Sequence, residues 1–162
     1  MAAPLSPEAA FASAPSDRLR DAVLLEARSW LGTPYRHQAS CKGAGCDCLG
    51  LLRGIWRALY GTEPEPVPTY QPDWTASGAE SLAEAGRRWL VERPLGTETT
   101  GDVVLFRWRD DVPARHVGIL SAPGQLIHAY ERVGVVESPL VPAWRRRMSH
   151  IFSFPEQAPW QP

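Results

Sequence analysis

Cys48 is the residue of this 162-residue chain best placed to do chemistry. It follows Asp47 and opens an apolar stripe at helical spacing, Leu52, Ile55, Trp56 and Leu59, which stops at Gly61. A helix is therefore predicted to begin at Cys48, where the unpaired N–H groups and the positive dipole end favour a thiolate. A cysteine nucleophile also needs a base within hydrogen-bond reach and a third group that orients that base. His116, in Arg-His-Val-Gly-Ile-Leu, and His128, in Leu-Ile-His-Ala-Tyr, both fall in short runs of strand character. A three-residue hairpin loop at 121–123 sets these two positions directly opposite each other on one sheet face, so that one imidazole orients the other. His37 and His150 lack such a partner and read as structural or exposed.

Cys41, Cys46 and Cys48 lie within eight positions of one another, which argues against a disulfide framework spread over a fold. With His37 they offer four zinc ligands. The gaps of four residues and then one depart from C-x2-4-C knuckles, however, and a C-x-C pair strains tetrahedral chelation by a single loop. No metal and no organic cofactor is expected, and Cys41 and Cys46 receive no role.

The elements that must carry these residues follow from periodicity and punctuation. Residues 17–31 place Leu19, Val23, Ala27, Trp30 and Leu31 at helical spacing, with Ser16 or Asp17 as cap and Gly32 as stop. Thr33 to Asp47 reads as a loop, Cys48 to Tyr60 as a second helix, and Ser81 to Glu92 as a third that Pro94 ends. Pro64, Pro66, Pro68 and Pro72 make 62–74 an extended connector. Asp102–Trp108, His116–Leu120, Gln125–Tyr130, Gly134–Glu137 and Ile151–Phe154 read as strands separated by Gly/Pro turns. Helices first and then an antiparallel meander of about five strands predict an α+β domain. Its span is 17–162, preceded by a flexible Ala/Pro/Ser-rich tail at 1–16. The run Arg145 to Arg147 reads as a solvated face.

Seventeen Lys and Arg against eighteen Asp and Glu give a net charge of -1, which supplies no field for gathering nucleic acid. Charged residues interrupt every apolar run before the ~20 residues of a spanning helix, so no membrane insertion is expected. The N-terminus has neither a basic region nor an unbroken apolar stretch, and no Sec signal peptide is expected.

Five blocks then resemble the NlpC family of papain-like cell-wall cysteine peptidases. They are Gly32-Thr33-Pro34-Tyr35, Asp47-Cys48-Leu49-Gly50-Leu51, Gly101-Asp102-Val103-Val104-Leu105-Phe106, His116-Val117-Gly118-Ile119 and Ile127-His128-Ala129, in matching order over residues 20–155. The chain looks most similar to the phage-tail and gene-transfer-agent branch. The resemblance implies a papain-like core in which Cys48 is the nucleophile, His116 the general base and later acid, and His128 the residue that fixes the His116 ring. It implies that Tyr35 serves the substrate or oxyanion side, that Asp47 helps to position the peptide, and that the Cys48 backbone N–H is an oxyanion donor. The implied substrate is the stem peptide of peptidoglycan, cut between D-γ-glutamate and a diamino acid. The implied partners are phage-like tail proteins, and the implied place of action is the cell wall, reached from a cytoplasmic site of synthesis as part of a virion-like particle. One position departs from the family pattern: Leu49 stands where Ser is usual, which removes a hydroxyl that contacts substrate in some members. An amidase or acyltransferase on the same scaffold, or a tail-assembly module with a vestigial triad, are the competing readings.

Overall fold

The computed structural model describes residues 14–70 and 80–159, so most of the tail expected at 1–16 and part of the proline-rich connector lie outside the described residues. Helix α1 runs Asp17–Ser29, capped by the Ser16 side chain, which accepts from Leu19 N–H at 3.2 Å. Helix α2 runs Cys48–Tyr60, begins after Asp47 and ends at Gly61, whose φ of 88 is a left-handed stop. Between them the expected loop contains a small ribbon of β1 (Ser40–Cys41) and β2 (Gly45–Cys46).

Helix α3 is shorter than its pattern indicates. It covers Ser81–Trp89, after which Leu90 turns extended and Val91–Arg93 forms strand β3. Arg93 precedes Pro94, which disfavours helical backbone there, and the three residues pair instead with the last strand. Strands β4 (Val103–Phe106), β5 (His116–Ala122), β6 (Gln125–Tyr130) and β7 (Gly134–Pro139) form the expected meander. A short helix α4 (Pro142–Arg145) leads into β8 (Met148–Ser153), which inserts between β3 and β4. The result is one six-stranded antiparallel sheet of order β3-β8-β4-β5-β6-β7, rather than about five strands in simple succession.

The two faces of this sheet have different duties. Val103, Leu105, Val117, Ile119, Ile127 and Ala129 pack with Val23, Ala27 and Trp30 of the first helical segment and with Leu51, Ile55 and Trp56 of α2. The alternate residues Val104, Phe106, Leu120 and Leu126 face the other way and pack with Leu140, Trp144 and Met148. Glycine permits two close approaches that fix α2: a Cβ on Gly54 would lie 1.9 Å from the Trp30 ring, and one on Gly50 would lie 1.9 Å from the Ala39 carbonyl oxygen. No helix among the described residues is long and apolar enough to cross a membrane.

Candidate active site

Cys48 occupies the first position of α2 because Asp47 caps the helix, its Oδ1 accepting from Gly50 N–H at 2.7 Å. The other carboxylate oxygen accepts from Gln38 N–H at 2.7 Å and from the Tyr70 hydroxyl. Asp47 is only 2% exposed, and both its oxygens are engaged within the protein, ordering the loop around the cysteine. Tyr35 is brought to the same place by the bridge between Tyr35 and Cys46, with Cys46 N–H bonded to Pro34 O and Arg36 N–H to Cys46 O.

The histidines reach the site from the sheet. The turn between β5 and β6 is tighter than expected, with Ala122 opposite Gln125 and only Pro123 and Gly124 between them. Ser121 is bulged out, and Ile119 pairs with Ile127, so the register sets Gly118 rather than His116 across from His128. The expected direct opposition is thus replaced by a diagonal one. A two-residue shift keeps both side chains on one face, and His116 Nε2 lies 2.8 Å from His128 Nδ1. That face is the one bearing Phe106 and Trp144, whose rings flank His116 at 5.9 and 5.4 Å. Trp108 stacks on His116 at 6.4 Å with the Arg147 guanidinium 4.8 Å beyond its own ring.

Cys48, His116, Tyr35 and Asp47 line one cleft of about 420 Å³, shared with His37, Tyr70, Trp108, Arg115, Tyr130 and Arg132. His128 stands behind His116 and holds Ser138 Oγ at 2.9 Å through Nε2. No hydrogen bond joins the Cys48 sulfur to His116 among the described residues, and such contacts commonly tighten only when substrate is bound. His37 bonds the Tyr70 carbonyl at 2.9 Å, whereas His150 bonds Ser149 and stacks on Phe152. Cys41 is exposed and Cys46 buried, and no group of three or more His, Cys, Asp or Glu among the described residues could hold a metal.

The sequence profile of the NlpC/P60 family matches residues 32–152, which takes in every one of these cleft residues. The chain belongs to the NlpC/P60 family. It is 30% identical over 130 residues to the murein DD-endopeptidase MepS/murein LD-carboxypeptidase of Escherichia coli K12, covering 80% of this chain and 60% of that protein. It is 27% identical over 135 residues to the gamma-DL-glutamyl hydrolase of Bacillus subtilis, covering 82% of this chain and 29% of the relative. This chain therefore spans less than two thirds of the length of these curated relatives. A crystal structure of an NLP/P60 family protein from Staphylococcus aureus superposes with a TM-score of 0.59 at 16% identity, over 90% of this chain and 44% of that one, a likeness of fold.

Within this NlpC/P60 domain the electrostatics differ from the thiolate expected at a helix N-terminus. Burial pushes the Cys48 thiol up to about 12 and the Asp47 charge adds to this, outweighing the backbone N–H groups of Val117, Leu49 and Cys48 that favour the anion. Burial pushes His116 down to about 3, with His128 contributing, and His128 down to about 4. The resting pair is a thiol and a neutral imidazole. Burial penalises each charge taken singly, whereas a thiolate and an imidazolium formed together would compensate each other. Tyr35 is raised to about 12, first by burial and then by Cys48, and keeps its hydroxyl proton as a donor.

These shifts carry a stability prediction. His116 and His128 stay neutral in the fold, whereas in the unfolded chain they take protons below the ordinary value near 6.5. Their contribution is complete above pH 6.5 and is lost as pH falls toward 4 for His128 and toward 3 for His116, at up to about 1.4 kcal/mol per pH unit for each. Urea unfolding between pH 7 and 4.5 is expected to show His128→Gln with the shallower acid slope by about that amount. Parallel curves would mean that His128 titrates normally in the fold.

Several residues of the NlpC/P60 site carry no mark in the sequence. Tyr70 sits in a proline-rich stretch without periodicity, and Ser138 meets His128 only because β7 pairs Val136 with His128. Leu49 lines a separate apolar cavity of about 450 Å³ with Leu52, Trp56 and Trp89, and does not contribute to the walls of the cysteine cleft.

Proposed function

We propose that this chain is a cysteine peptidase that hydrolyses peptidoglycan stem peptides with Cys48 as nucleophile, His116 as base and acid, and His128 as the orienting residue. The observation that carries this reading is the shared cleft of Cys48 and His116 together with the 2.8 Å contact that uses His116 Nε2. That contact leaves Nδ1 as the ring nitrogen available to the thiol. Cys48 Sγ bonds to the scissile carbonyl carbon as its proton passes to His116 Nδ1, giving a tetrahedral oxyanion. The Cys48 N–H and the Tyr35 hydroxyl are the donors suited to that oxyanion. Collapse breaks the C–N bond, His116 gives its proton to the leaving amine, and a thioester remains. Water then loses a proton to His116 and attacks the thioester, and the departing Cys48 sulfur takes that proton back.

The D-γ-glutamyl–diamino acid bond is the bond we assign. Its support is the resemblance of the five motif blocks, and the names of the two relatives point to different bonds. Digestion of purified sacculi followed by mass analysis tests the assignment. The expected result is free peptide beginning with the diamino acid, and L-alanyl-D-glutamate left on the glycan. Conversion of cross-linked dimers to intact monomers moves the cut to the cross-link, and release of whole stem peptides from the lactyl group establishes an amidase. We further propose that the enzyme acts at the cell wall on a phage-tail-like particle, on the strength of the motif resemblance. It should then cosediment with tail particles from an induced lysate, and recovery only in the particle-free supernatant would refute this placement.

A further inference from the structure

The hydrogen-bonded chain behind His116 continues past His128. His128 Nε2 lies 2.9 Å from Ser138 Oγ, and His128 is only 2% exposed. On β7, Val136 is the partner of His128 and Ser138 stands two residues further along, on the same face. We propose that Ser138 is a positioning residue of this site, accepting a hydrogen bond from His128 Nε2–H and thereby holding His128 in the one tautomer that can receive the charged His116 ring. The proposal rests on the reading of Cys48 and His116 as nucleophile and base.

Donors and acceptors along the chain decide which tautomer is needed. A neutral imidazole has one N–H and one bare nitrogen, whereas an imidazolium has two N–H groups. While His116 is neutral, the chain can run in either direction, since a hydroxyl both donates and accepts. Once His116 holds the thiol proton on Nδ1, its Nε2 must donate, so His128 Nδ1 must be bare and the His128 proton must sit on Nε2. That proton then points at Ser138 Oγ, the acceptor within hydrogen-bond distance among the described residues. Without the hydroxyl, both the neutral tautomer with a bare Nδ1 and the charged state of His116 leave that buried donor unsatisfied, whereas the neutral tautomer that cannot take the thiol proton does not. The loss therefore falls on the charged intermediate and on kcat rather than on substrate binding.

Ser138→Ala is expected to lower kcat about tenfold with KM within about twofold, and Ser138→Thr, which keeps a hydroxyl, to recover most of it. In a His128→Ala background the same Ser138→Ala change is expected to cost nothing further, because Ser138 acts only through that ring. An unchanged kcat in Ser138→Ala, failure of Thr to rescue, or an undiminished loss in the His128→Ala background would each overturn the assignment. The rate of Cys48 alkylation by iodoacetamide in a Cys41→Ser background gives the same comparison without any peptide. A Ser138- and His128-dependent alkylation rate in a protein that cuts no peptide would uphold Ser138 and refute the peptidase reading. An alkylation rate indifferent to Ser138 would refute the positioning role.

Discussion

Cys48→Ala is expected to lower peptide hydrolysis by about 10,000-fold or more while leaving the thermal midpoint nearly unchanged. The chemistry is lost because no other thiol reaches the cleft: Cys41 is exposed on the β1–β2 ribbon and Cys46 is buried. The fold is kept because the Asp47 cap on Gly50 N–H does not involve the sulfur, and Ala is a good helix former at that position. Cys41→Ser should retain activity. Cys46→Ser buries a hydroxyl where the thiol is fully enclosed, so it should lower the thermal midpoint while the folded protein remains active. Loss of activity in Cys41→Ser with Cys48 intact would reassign the nucleophile.

The second large effect separates the two histidines. His116→Ala is expected to cost about 1,000-fold or more, since it removes the group that takes and returns the proton. His116 also packs against Phe106, Trp108 and Trp144, so His116→Asn, which keeps a planar polar group, controls for lost packing and should be equally inactive. His128→Gln should cost far less, about 10- to 100-fold, because an amide oxygen can still accept from His116 Nε2–H. Turnover numbers for the three variants at one pH, normalised to folded protein, decide the matter. Equal losses in His128→Gln and His116→Ala, or an active His116→Asn, would exchange or remove these roles.

The elements differ in how strongly local sequence determines them. The bounds of α2 and β6 follow from an apolar stripe ended by Gly61 and from a β-rich run ended by a turn, both local signals. The β5–β6 register does not, because it depends on whether Ser121 bulges and on a two-residue turn at Pro123 and Gly124. The common face of His116 and His128 survives since a shift by two preserves alternation, and a shift by one would have destroyed the pair. Strand β3 is invisible because its three residues are extended mainly by pairing with β8, a contact some sixty residues distant in the chain. The cysteine itself is evident from its place at a helix start, but its protonation state is not. Helix position argues for the anion, and only the packed structure reveals that burial and Asp47 outweigh it. Ser138 and Tyr70 become partners of the site through tertiary contact alone.

The most direct test of the central claim, that a thiol in this cleft cuts peptide bonds, is the chemistry of the new ends formed on purified sacculi. Free amines and reducing sugar ends are counted after treatment of the enzyme with a thiol reagent, with a chelator, or with neither. A thiol peptidase releases amines without reducing ends, is stopped by alkylation once Cys48 has reacted, and is untouched by the chelator. Release of reducing ends, or arrest by chelator in a protein indifferent to alkylation of Cys48, would contradict the account.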